Sequence, residues 1–280
     1  MYAMLAMQSR EHLVALWRFA GSIKNEFKRS HQLHKLTTLV AGRAIDHDLA
    51  EQIANSIPDP YWRSSSLNEV ADQLLARGRE FEGIDSRARA ELSERGLRLL
   101  REVESDLSSV PETNGDRATV LWQAGLSLVR AGKLDWAERL ASTNKYCPEN
   151  TEVLLNSAKA RAALDQTSHA LQLAKTVAEL ASVGTGDPTN RVFDLEHASE
   201  IAFACSSKNE AREYLEQAAR LALASQEHQD IEGWKCVAAV AIAFAKQGHL
   251  EKAKLTANGI SQQSQREYVL RKVADVPAAS

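Results

Sequence analysis

Aromatic residues make up only 6% of the 280-residue chain, so small apolar side chains must fill most of any core. Six prolines and thirteen glycines, clustered at a few places, are too few for a turn-rich β architecture. The three cysteines, Cys147, Cys205 and Cys236, are odd in number and far apart, with no CxxC pair. That fits reduced thiols and neither a disulfide framework nor a zinc site. No window approaches the roughly 18 apolar residues of a membrane span. The N-terminal MYAMLAMQSRE lacks the basic start of a secretory leader, and the expected location is the cytoplasm. A formal charge of −3 supplies no general attraction to nucleic acid or to an anionic membrane.

Present in quantity are alanine and the long helix-forming side chains. Apolar residues reach 44% and charged residues 25%, ordinary for a folded globular chain. Alanine is the strongest helix former and lets helices approach closely. Runs of alternating β-branched residues are missing, so the expected fold is all-α, with at least ten helices in antiparallel pairs.

The organising stretch is Ile45 to Ala76, IDHDLAEQIANSIPDPYWRSSSLNEVADQLLA, and its pattern returns 203 residues later. Ala50, Ala54, Asn55, Ile57, Arg63, Leu67, Val70 and Ala71 match Ala253, Ala257, Asn258, Ile260, Arg266, Leu270, Val273 and Ala274. In the first copy Asp46 or Asp48 can cap a helix carrying Leu49, Ala50, Ile53 and Ala54. Pro58-Asp59-Pro60 ends that helix, and Asp59 then caps the next one with Pro60 at its first position. That second helix presents Trp62, Leu67, Val70, Ala71 and Leu74, and Gly78 is expected to end it. Arg63 and Arg266 share a place in the two copies, which predicts a structural role: hydrogen bonds to carbonyls or to an acidic neighbour.

Upstream, Leu13, Trp17, Ala20 and Phe27 form one stripe over 10–29, with a break expected at Gly21-Ser22 and a further helix over 31–41. Downstream, Asp85 to Leu107 reads as a longer helix with Leu92, Leu99, Val103 and Leu107 on one side. Its Arg87–Glu91, Glu91–Arg95, Glu94–Arg98 and Arg98–Glu102 spacings predict a solvated face, each pair worth roughly 0.2–0.5 kcal/mol.

Beyond the Pro111–Gly115 loop, ATVLWQAGLSLVRAGKLDWAERLASTNKYCPEN carries Gly125, Gly132, Ala137 and Pro148 at the places a tetratricopeptide repeat requires. This segment resembles a tetratricopeptide repeat (TPR), and the unit around IPDPYWR resembles diverged repeats found in tandem in large bacterial proteins. The packing alanine recurs as Ala50, Ala137, Ala170, Ala211 and Ala253, with a blurred unit near Ala88 or Ala90. Spacings after Ala137 are 33, 41 and 42 residues, against a family period of 34. The resemblance implies an α-α superhelix, a solenoid of about five to six TPR-like helix pairs. Capping helices would cover 1–30, diverged helical repeats 31–110, and TPR-like repeats with a C-terminal capping helix 116–276.

Chemistry is sparse. His31, His34 and His47, near Asp46 and Asp48, could share a metal, but a polar helix face with capping aspartates explains them better. VGTGDP at 183–188 lacks the Gly-Lys-Ser/Thr of a phosphate loop, and no nucleophile–base motif stands out. Cys147 is expected in a turn, and Cys205 and Cys236 in the core. No enzyme activity, cofactor or metal is expected. Four of the tryptophans at 17, 62, 122, 136 and 234 are assigned to the core, with Trp122 the exception.

The resemblance implies a non-catalytic scaffold that holds a peptide or partner helix in a concave groove. It places groove contacts at Trp122, Leu126, Arg130, Leu155, Lys159, Phe193, Glu196, Glu200, Phe203, Ile242 and Lys246. The alternative is a nucleic-acid-binding α-solenoid. That would need a continuous basic inner face, and Lys24, Lys28, Arg29 and Lys35 supply only a local patch.

Overall fold

The computed structural model describes residues 10–42, 46–80, 85–108, 110–111, 115–143, 150–184, 187–226 and 233–277. Among these, every regular element is an α-helix, fourteen in all, and none is long and apolar enough to cross a membrane. The chain divides into two compact units, Met1–Cys147 and Pro148–Ser280. The first holds α1 (Arg10–Gly21), α2 (Glu26–Gly42), α3 (His47–Asn55), α4 (Pro60–Glu80), α5 (Ser86–Leu107), α6 (Gly115–Arg130) and α7 (Leu134–Thr143). The second holds α8 (Asn150–Ala163), α9 (Thr167–Val183), α10 (Pro188–Ala204), α11 (Lys208–Gln226), α12 (Gly233–Lys246), α13 (Leu250–Asn258) and α14 (Gln263–Ala274).

Within each unit, consecutive helices pack on one another and alternate helices also touch. Thus α4 lies between α2 and α6, and α10 lies between α8 and α12. Caps set the helix starts. Asp46 accepts the Leu49 amide at 2.9 Å, Asp59 the Trp62 amide at 3.0 Å and Asp85 the Ala88 amide at 2.8 Å.

Four connections share one backbone turn. Gly132, Asp165, Ser206 and Gly248 all have positive φ, at 71°, 59°, 64° and 83°. The amide that follows each one reaches back to close the preceding helix, as Lys133 to Leu128, Gln166 to Arg161, Ser207 to Ala202 and His249 to Phe244. Such a Schellman-type bond satisfies carbonyls that the helix end would otherwise leave open. The next helix then places Ala137, Ala170, Ala211 and Ala253 at the interface, each with no accessible surface. The alanine spacing read from sequence is therefore the spacing of a repeated turn.

First-turn arginines form a second recurrent device. Arg63 donates to the Ile57 carbonyl at 3.4 Å and to Asp106 at 2.7 Å, while Arg266 donates to the Ile260 carbonyl at 3.0 Å. Arg117 reaches the Leu107 carbonyl at 3.1 Å and Arg191 the Ala181 carbonyl at 2.6 Å. Each guanidinium ties the end of one helix to the start of the next, the role expected for Arg63 and Arg266.

Several expectations need correction. Phe27 is 64% exposed, because α2 already starts at Glu26 and Phe27 turns away from the Leu13–Ala20 stripe. Gly78 does not end α4, which runs to Glu80; it is buried inside the helix, where a Cβ would sit 2.8 Å from Ser93 Oγ. Gly96 is its counterpart on α5, with Leu75 Cγ at 2.8 Å and the Ala71 carbonyl oxygen at 3.1 Å from an added Cβ. Glycine thus takes over here the role that the packing alanine has elsewhere, which is why the alanine register blurs near Ala88 and Ala90.

The arginines of α5 are not simply solvated. Arg95 pairs with Asp48 at 2.5 Å and Glu51 at 2.8 Å, and Arg98 reaches Glu51 at 2.7 Å, so both tie α5 to α3. All five tryptophans are half-buried, none fully buried. Layers packed through alanine leave no room for an indole, and the indole N–H seeks polar partners. Trp17 donates to Ser56 Oγ at 2.9 Å and Trp136 to Glu104 at 2.9 Å. Cys236 is core, whereas Cys205 is half-buried at the C-cap of α10. Cys147 and Pro148 lie outside the described residues.

Candidate functional site

In the second unit one helix face carries several half-buried ionisable groups. Helix α10 presents Phe193, Glu196, His197, Glu200 and Phe203 at i, i+3, i+4, i+7 and i+10, a single face. All five are half-buried. Exposed Lys159 on α8 and exposed Lys246 on α12 stand on the two helices that flank α10.

The electrostatics tie these groups together. Burial raises the Glu196 carboxyl above its usual value and Glu200 adds to the rise, while Lys246 and Lys159 oppose it. Burial lowers His197, assisted by Lys159 and opposed by Glu200. On the α8 side, burial pushes Asp194 up to about 6, against a stabilising hydrogen bond from Thr151 and with a small push from Glu152. Carboxylates that give up water without a close ion pair hold their charge at a cost, and a partner's cation would relieve it.

Of the residues placed by sequence, the fold brings Lys159, Phe193, Glu196, Glu200, Phe203 and Lys246 onto these three adjacent helices, with Ile242 half-buried on α12. Leu155 is a correction: it is only 4% exposed and belongs to the core of α8. Trp122, Leu126 and Arg130 belong to α6 of the first unit, where Arg130 is bound to Asp72 at 3.2 Å. Asp194 and His197 were missed. His197 was legible, being one helical turn before Glu200 on the stripe; Asp194 required knowing that α8 packs there.

The histidines weighed, and set aside, as metal ligands are separated. His31 and His34 face Trp62, whereas His47 contacts Arg77 at 3.0 Å. No group of three or more His, Cys, Asp or Glu suited to a metal ion occurs among the described residues. Two open depressions of about 520 and 540 Å³ lie elsewhere, between α9, α10 and α11. Arg191 lines one of them but is engaged by the Ala181 and Ser182 carbonyls.

Comparison with known proteins identifies no family. No family model matches the chain and no curated protein matches it. Among solved structures, Ton1535 from Thermococcus onnurineus NA1 is similar over 95% of both chains, at 13% identity and a TM-score of 0.32. That likeness is too slight to carry an argument about fold or function.

Proposed function

We propose that this chain is a non-catalytic interaction scaffold, a TPR-like α-α superhelix of five to six helix pairs. It holds a peptide or partner helix against the α8–α10–α12 face. The recurrent positive-φ turn and the buried alanine after it support the repeat reading. The observation that carries the binding reading is the α10 face, where Phe193 and Phe203 bracket Glu196, His197 and Glu200 between Lys159 and Lys246. Aromatic residues supply most of the affinity in such surfaces, and charges fix register and on-rate. The partner is therefore a segment with hydrophobic anchors around a cationic centre, with acidic residues toward its ends.

The test is affinity capture from the native cell, run in parallel with wild type and a folded Lys159→Glu/Glu200→Lys variant. The partner segment is then titrated against both. Weakened binding with altered salt dependence is the expected result. Unchanged affinity and unchanged salt dependence would remove the α10 face from the interface.

A further inference from the structure

A separate cluster in the first unit joins rings to unpaired cations. Phe27 on α2 stacks on His31, with centroids 6.3 Å apart and planes at 21°. From α4, Trp62 inserts its ring 5.0 Å from His31 and 4.9 Å from His34, with Phe27 edge-on at 6.2 Å. His34 is held by Ser66 Oγ at 3.0 Å, so the rings form a fixed platform whose outer member, Phe27, is 64% exposed. At 100° per residue, Phe27, His31 and His34 share a sector of about 120° with Lys28 and Lys35. Lys24 stands just before the helix. All three lysines are exposed, and no described acid lies within ion-pair distance of them. The α2 acid, Glu26, sits 3.9 Å from Arg29, whose guanidinium also reaches the Ile23 carbonyl at 3.5 Å. Tyr61 meets the Trp62 ring edge-on with centroids 4.8 Å apart, and Asp59 and Asp116 are the acids that act on Tyr61.

We propose that the Phe27–His31–Trp62–His34 platform, with Lys24, Lys28 and Lys35, is a binding site for single-stranded nucleic acid. The surrounding lysines disfavour a cationic ligand, although aromatic rings alone could have held one. A bare inorganic anion would leave the rings idle. Lys28 and Lys35 are about 10 Å apart along the axis, so linked phosphates engage both while bases stack on the rings between. Stacking with cation tracking is how unspecific single-strand sites work, since every base has a π-face. Asp59 and Asp116, the acids that act on Tyr61, would repel phosphate, which favours a path along the α2 lysines. This site is independent of the α10 face, and nothing in it requires a protein partner.

The test uses the full chain and a fluorescent oligouridylate of about ten nucleotides, read by anisotropy between about 50 and 200 mM salt. Three neutralised phosphates predict a log–log salt slope of about −2. Phe27→Ala removes an exposed ring that supports no core and weakens binding about tenfold. Lys28→Glu/Lys35→Glu abolishes binding, and the exposed control Lys208→Glu on α11 leaves it unchanged. Circular dichroism confirms that each variant stays folded. No binding at the lowest salt would overturn the proposal, as would equal affinity in the Phe27 and double-lysine variants. A labelled acidic peptide that bound more tightly than the oligonucleotide would also overturn it, by making the patch a protein interface.

Discussion

Ser206 and Asp165 occupy the positive-φ position that Gly132 and Gly248 fill in the equivalent turns. A Cβ there crowds the following carbonyl, and aspartate tolerates this better than serine. Ser206→Gly is therefore expected to raise stability by about 0.5–1 kcal/mol, and Asp165→Gly by less. Thermal melts of both variants measure the order. Asp194 makes a pH-dependent contribution of a definite sign. Its carboxyl holds a proton more tightly in the folded state, at about 6 against an ordinary 3.8. That contribution is complete below the unfolded value and is lost as pH rises through about 6. His197, which burial lowers, acts in the opposite direction over the acid side of its range. Asp194→Asn should thus melt higher than wild type at pH 7.5 and converge with it only below about pH 3, where the carboxyl is protonated in both states.

At the scale of elements, the first-turn arginines and the close-packed glycines decide how consecutive helices meet. Arg63 bridges three elements: its own helix, the α3 end at Ile57 and Asp106 on α5. Arg266 makes only the carbonyl contact among the described bonds. Arg63→Ala should cost about 1–3 kcal/mol and Arg266→Ala less, since a charge-assisted bond and a buried carbonyl partner are lost together. An unchanged melting temperature for Arg63→Ala, with partner binding abolished, would move this residue from structure to ligand contact. The same logic explains the α4–α5 pair. Gly78 and Gly96 let two long helices lie closer than alanine permits, so sequence reading placed a helix end where there is a close contact.

Across the whole molecule, the two units are stabilised differently. The first is laced by cross-helix pairs: Arg95 and Arg98 to α3, Arg63 to Asp106, Arg139 to Glu104 at 2.6 Å, and Arg130 to Asp72. The second rests mainly on fully buried alanine and valine on α9 to α13, with Lys252–Glu216 joining α11 and α13. Salt screens the former and leaves the latter nearly untouched. Hydrogen exchange in rising sodium chloride should therefore show α3 to α5 losing protection while α10 to α13 keep theirs. Equal sensitivity in both units would show that these pairs contribute little.

Sequence alone determined the all-helical class, the capped starts of α3, α4 and α5, the alanine register and the shared role of Arg63 and Arg266. Each follows from local chemistry: a capping aspartate, a proline, a small residue at fixed spacing. Tertiary structure alone decided which side chains meet across helices. Leu155 turned inward and Phe27 outward because each helix's rotation is set by its neighbours. Asp194 and Glu196 became costly carboxylates because α8 and α12 shield them from water. Trp62, read as a core residue, reached His31 and His34 because α2 packs on α4, giving three otherwise isolated lysines a set of rings to act with. Periodicity reports the faces of a helix; only packing chooses which face is covered.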